Sequence, residues 1–234
     1  VIKYCVEKVA GRVPVIAGSG SNCTREAINI SKRAEEVGAN GLLCVTPYYN
    51  KCTQEGLYQY YKAISDAVNI PIIMYNIPGR TGTTIQPETA VRIAKEVKNV
   101  VAIKEASGNI SAVAKLAALA DGCIDIYSGN DDQVLPILSL GGKGVISVWS
   151  HVAPKKVHDM VYAYLNGDTA TATKLQLEAI DVIGALFCEV NPIPVKAAMN
   201  MLGYKAGPVR APLTELSDAH KELLEKALKD YGVL

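Results

Sequence analysis

Short apolar runs alternate with amphipathic stretches along most of the chain. Runs at 13–17, 41–46, 71–76, 100–104, 124–128 and 144–148 are too short for buried helices and carry few polar residues. Parallel strands covered on both faces read this way. Between them, near 24–37, 54–68, 87–97, 110–120 and 132–140, apolar positions recur at helical spacing. Asn22 or Thr24 opens the first of these helices, Pro87 stands in the first turn of another, and Gly38 and Gly122 stand where C-caps belong. Residues 1–10 read as the tail of an amphipathic helix closed by Gly11. The pattern predicts six successive βα units.

Beyond about residue 154 the strand signals stop. Helices are predicted at 154–165, 169–187, 194–201 and 213–229, the first of them completing the last βα unit. The expected organisation is a partial barrel over 1–166 and a helical extension over 167–234.

An open doubly wound sheet and a (β/α) barrel both accommodate six such units. No G-x-G-x-x-G follows the first strand, and Gly18-Ser19-Gly20-Ser21-Asn22 lacks the Lys-Ser/Thr of a phosphate-binding loop, so its glycines read as turn residues. Polar residues instead collect after every strand, at 19–22, 46–49, 75–80, 104–107, 129–132 and 147–151. A barrel gathers all of these loops at one mouth, and the barrel is the expected fold.

Charge narrows the function classes. Lys and Arg number 24 against 23 Asp and Glu, for a net charge of +1, which gives no support to nucleic-acid or membrane binding. No apolar run reaches membrane-spanning length. Cys5, Cys23, Cys44, Cys52, Cys123 and Cys188 are scattered without a C-x-x-C pair, as reduced cysteines of a cytoplasmic protein are. His151, His158 and His220 have neither metal-ligand spacing nor an evident carboxylate partner, so no metal is expected.

Lys104 changes the picture most. It ends the run Val100-Val101-Ala102-Ile103, where alternation puts Val100, Ala102 and Lys104 on one face. A lysine there either snorkels to water or a carboxylate, or loses its proton to burial and attacks a carbonyl as a Schiff-base amine. Tyr75 ends the preceding strand and offers a hydroxyl for proton transfer, and Arg80 offers a planar fork for a carboxylate. An amine, a proton relay and a carboxylate anchor at one mouth suit an aldolase working on a keto acid. Tyr48 and Tyr49 add adjacent aromatics of a kind frequent at protein interfaces.

The segments VTPYYN (45–50), YNIPGRTG (75–82), VAIKEASG (101–108), SGNDD (128–132), GVISV (144–148) and EVNPIPVKAAM (189–199) together resemble the dihydrodipicolinate synthase family, whose wider group includes N-acetylneuraminate lyase. The resemblance covers essentially the whole chain. It implies a TIM-type (β/α)8 barrel and a lyase that condenses pyruvate with aspartate 4-semialdehyde in lysine (diaminopimelate) biosynthesis. Lys104 would form the Schiff base, with no separate cofactor. Tyr75 and Tyr49 would relay protons, Tyr49 reaching into a neighbouring subunit's site, so a homo-oligomer (dimer or tetramer) is expected. Arg80 would bind the aldehyde substrate's carboxylate, and Gly129 and Ile146 would line the pyruvate end. Asn22, Glu26 and Tyr48 match a site for feedback lysine.

One departure stands out. The family carries two further βα units at its start, with a Gly-Thr-Thr-Gly-Glu segment that binds the pyruvate carboxylate, and no such segment occurs in this chain. The expectation is therefore an N-terminally truncated member with six of eight strands, inactive alone. Other readings are a pyruvate-dependent aldolase of the N-acetylneuraminate or keto-deoxy-gluconate type, and a non-catalytic paralogue.

Overall fold

The computed structural model describes residues 1–234, which form two compact units. The first comprises Val1–Gly129 with Leu140–Lys143; the second comprises Asn130–Ser139 with Gly144–Leu234. The sequence-based division at 166/167 follows element type, whereas these units follow contact, so the helix after the last strand groups with the second.

The first unit opens with α1 (Ile2–Val9) and then alternates β1 (Ile16–Gly18), α2 (Thr24–Glu36), β2 (Gly41–Val45), α3 (Gln54–Ser65), β3 (Ile72–Asn76), the single turn α4 (Pro78–Thr81), α5 (Pro87–Glu96), β4 (Val100–Glu105), α6 (Ile110–Ala120) and β5 (Asp125–Ser128). Each strand pairs parallel with the next. Sequence-adjacent parallel strands joined by helices are the βα succession the pattern predicts. Thr53 caps α3 by accepting from Gly56 N (3.1 Å), and Asn109 caps α6 by accepting from Ala112 N (3.0 Å). At α2 the N-cap is Cys23, without a side-chain bond, in place of Asn22 or Thr24. Gly38 and Gly122 take positive φ after their helices, as expected.

The two faces of this sheet differ, which corrects the expectation of burial on both. Leu42, Cys44, Ile72, Met74 and Ile103 are sealed, and α2, α3, α5 and α6 bury Ala34, Leu57, Ile64, Ile93 and Leu116. On the other face Leu43, Val45, Ile73 and Tyr75 are half-buried, and Ile16 and Val101 are 45% and 44% exposed.

A register shift accounts for Val101. Ile72 pairs with Val100 but Ile73 pairs with Ala102, so Val101 is the extra residue of a bulge. Paired residues of neighbouring strands share a face. Val100 therefore stands opposite to Ala102 and Lys104, not beside them as strict alternation had placed it.

The second unit contains a 3-10 turn at Asp131–Gln133, α7 (Val134–Ser139), the two-residue strand β6 (Gly144–Val145), a second 3-10 turn at Trp149–His151, and then α8 (Pro154–Leu165), α9 (Thr169–Glu178), α10 (Ile180–Leu186), α11 (Ile193–Met201) and α12 (Asp218–Asp230). Its core gathers Trp149, Met160, Ala172, Val182, Leu186, Ala198, Leu224 and Leu228. No helix is long and apolar enough to cross a membrane.

Candidate active site

The β3–β4 register sets Tyr75 opposite Lys104 and Asn76 opposite Glu105. Alternation then puts Tyr75 and Lys104 on one face and Asn76 and Glu105 on the other. Lys104 is only 9% exposed, and its Nζ stands 4.3 Å from the centre of the Tyr75 ring. At that distance the ring's negative face supports a cation.

Burial raises the Tyr75 pKa, and the Arg80 charge partly offsets the rise. The hydroxyl thus holds its proton at neutral pH and is a donor until a stronger base arrives. Arg80 lies on α4, whose Pro78 fixes the first position, and it is exposed. The sequence-predicted amine, relay and anchor are therefore within one neighbourhood at the ends of β3 and β4.

Gly129 is needed for space. A methyl group there would lie 2.9 Å from Lys104 Cε and 2.6 Å from Ala106 Cβ. Its amide donates to Glu105 O at 2.7 Å, which presses the end of β5 onto the lysine stem.

Tyr49 is not brought to Lys104 by the fold of this chain. It is 90% exposed at φ 71°, a left-handed conformation that costs a non-glycine residue energy. Tyr48 is 41% exposed, and Asn50 Nδ2 donates to Asn22 O at 2.9 Å, tying this loop to the one after β1. Asn22 is half-buried and Glu26 exposed in the first turn of α2. Ile146 belongs to the second unit, half-buried just after β6. The backbone beyond it is held by Asp131, whose Oδ2 accepts from Val148 N (3.0 Å) and Trp149 N (2.8 Å).

Two of the histidines have carboxylate partners that the sequence did not reveal: His220 Nδ1 lies 2.7 Å from Glu189, and His158 Nδ1 lies 3.2 Å from Asp159. The first pair is far apart in sequence, so no spacing rule could find it. No group of three or more His, Cys, Asp or Glu side chains is gathered as a metal site would require. The six cysteines are free.

Sequence reasoning assigned no role to Asn76 or Glu105, although each follows a candidate residue directly. The signal was there: two strand ends each carry a polar pair, and alternation sends the second member to the helix-covered face.

A family profile described as "Dihydrodipicolinate synthetase family" matches residues 1–231. The 4-hydroxy-tetrahydrodipicolinate synthase of Caldicellulosiruptor bescii is 57% identical over 233 residues, taking in 100% of this chain and 78% of the relative. The crystal structure of dihydrodipicolinate synthase from Thermotoga maritima superposes with a TM-score of 0.97 at 45% identity, over 100% of this chain and 80% of that one. The enzyme from Cyanidioschyzon merolae, solved with lysine bound, gives 0.97 at 40% identity, over 100% and 79%. These matches take in the whole of this chain and about four fifths of each relative's own length.

Proposed function

The chain belongs to the dihydrodipicolinate synthetase family, and from that premise we propose that Lys104 is the amine on which pyruvate is held. The activity is that of a 4-hydroxy-tetrahydrodipicolinate synthase, a lyase. The observation that carries the residue assignment is the buried Lys104 Nζ 4.3 Å over the Tyr75 ring, at paired strand ends.

The reaction we assign proceeds as follows. Nζ adds to the keto carbon of pyruvate and water leaves, giving an imine. Loss of a proton from the methyl carbon gives an enamine, whose carbon attacks the aldehyde of aspartate 4-semialdehyde; the new alkoxide takes up a proton, and the semialdehyde's own amino group displaces Nζ at the imine carbon, closing the ring and freeing the lysine. Tyr75 donates to and accepts from the departing oxygen, and Arg80 holds the semialdehyde carboxylate. Gly129, pressed against the lysine stem, bounds the pyruvate end. The covalent imine makes a further cofactor unnecessary.

The strained, exposed Tyr49 supports an oligomeric enzyme, in which a second copy covers that ring and takes it into its own site. Asn22, Glu26 and Tyr48 are assigned to a lysine-binding site on the same surface. Biosynthetic work of this kind places the enzyme in the cytoplasm.

Pyruvate and borohydride test the central assignment. The expected result is one pyruvate-derived adduct on the peptide containing Lys104. Label on another lysine overturns it.

A further inference from the structure

We infer that Asn76 and Glu105 form a positioning pair that sets Lys104 and Tyr75 for imine formation. The inference rests on the Lys104 assignment and concerns the opposite face of the same two strands. Asn76 is 2% exposed and Glu105 6%. Such burial is costly for both groups unless every polar atom is matched.

The matching is nearly complete, and all of it braces strand ends. Asn76 Nδ2 donates to Glu105 Oε2 at 2.8 Å, and Asn76 Oδ1 accepts from Ile85 N at 3.0 Å. Glu105 Oε1 accepts from Ser107 N at 2.7 Å. The main chain adds Ala106 N donating to Asn76 O (2.9 Å) and Gly129 N donating to Glu105 O (2.7 Å). The side-chain pair thereby fixes the segment after β3 and the turn after β4, and the main chain of Glu105 holds the end of β5. Tyr75 and Lys104 are the residues immediately before the pair, so any slip between Asn76 and Glu105 is passed directly to the amine and its ring.

The pair also lines a cavity of about 270 Å³ with Gln86, Ser107, Asn109 and Leu116. The Asn76–Glu105 hydrogen bond adds a side-chain tie to the β3–β4 ladder at these strand ends.

The polarity of the pair supplies the test. Glu105→Gln leaves one acceptor oxygen for two donors, Asn76 Nδ2 and Ser107 N. Asn76→Asp sets a carboxyl oxygen against Glu105 Oε2. The double variant, Asn76→Asp with Glu105→Gln, reverses the bond and satisfies every partner. The carboxylate then at position 76 accepts from Ile85 N and from the amide introduced at position 105, whose oxygen accepts from Ser107 N.

The measurement, in the full-length enzyme, is the rate of pyruvate trapping on Lys104, with steady-state constants and melting temperature alongside. Each single variant is expected to trap about 10- to 100-fold more slowly, as one buried unsatisfied group at a reacting site would cause. The KM for aspartate semialdehyde should stay within about threefold of the parent value. Asn76→Asp should recover as pH falls, because two facing carboxyl groups can share a proton. The double variant should return to within about threefold of the parent, a coupling of the kind that contacting residues show.

Singles that trap at the parent rate overturn the inference. So does a double variant that fails to fold or is no better than the two losses multiplied. Trapping by the parent on some other lysine would instead remove the Lys104 assignment, so the two failures are distinguishable.

Discussion

The two units of this protein bury different things. Of the buried polar side chains, only Asp131 and Gln176 lie in the second unit; Ser19, Ser31, Asn76, Asn99, Lys104, Glu105 and the rest lie in the first. The second unit instead closes over an apolar core built around Trp149, Met160, Leu186, Leu224 and Leu228, with its charged groups other than Asp131 outside. A buried polar group stabilises a fold only when its partners are all in place, whereas apolar burial tolerates approximate shape. The first unit therefore accepts the stricter condition, and the proposed role of Lys104 gives that a chemical use: an amine that is to form an imine has to be held out of water beside a proton donor.

The contrast predicts where mutations act. The largest effect is at Lys104. Lys104→Arg should abolish pyruvate trapping and bring turnover to background, since a guanidinium stays protonated and cannot add to a carbonyl. Intact-mass measurement after borohydride checks it, and persistent labelling would break the contrast at its centre. Tyr75→Phe removes one hydroxyl, and turnover should fall by about 10²–10⁴-fold while trapping of pyruvate survives in part. Gly129→Ala comes next. Its added methyl meets Lys104 Cε and Ala106 Cβ at 2.9 and 2.6 Å, so the stem must move. A displacement of about 1 Å in a reacting group costs about 10²-fold, read as slower trapping, and the melting temperature should fall as well because Ala106 Cβ cannot swing aside.

In the second unit the same kind of truncation should act on stability alone. Leu224 is fully buried among helix residues. Leu224→Ala should lower unfolding free energy by about 2–5 kcal/mol, measured in urea, with turnover per folded molecule unchanged. A turnover loss without a stability loss would show that the second unit is not merely apolar packing.

How much of this was legible in the sequence also divides between the units. In the first, the apolar runs placed every strand to within a few residues, because a short apolar run flanked by caps has few alternatives. What failed there was the face of Val100, since a bulge inserts one residue without any mark in the sequence. The lysine, tyrosine and arginine were legible as strand-end anomalies, but Asn76 and Glu105 were not given roles, because their importance lies in pairing across 29 residues. In the second unit the helix expected over 169–187 divides at Ala179, where no Gly or Pro announces a break. The helix expected from 213 begins at Asp218, after Ser217, an N-cap signal that periodicity alone overran.

The smallest effect concerns Glu189, whose charged contact in the second unit joins segments far apart in sequence. Glu189 Oε1 accepts from Ser217 N (3.1 Å) and Ser217 Oγ (2.7 Å) and lies 2.7 Å from His220 Nδ1, so it ties the 189 segment to the start of α12. These partners, His220 first and Ser217 second, hold its pKa down to about 2, against 4.5 for an unperturbed glutamate. A carboxyl group whose folded pKa lies below its unfolded value stabilises the fold above the unfolded pKa, and the contribution drains away as pH falls through the folded one. The urea midpoint should therefore decline between about pH 5 and about pH 2, and Glu189→Gln should lower the midpoint at neutral pH and flatten that decline. The group is near the surface, where solvent screens such contacts, so the change should be small beside that of Leu224→Ala. A decline of unchanged steepness in Glu189→Gln would assign the acid sensitivity to other carboxylates. It would leave Asp131, buried and bonded to Val148 N and Trp149 N, as the charged group that matters most to the second unit, and so sharpen the difference between the two units.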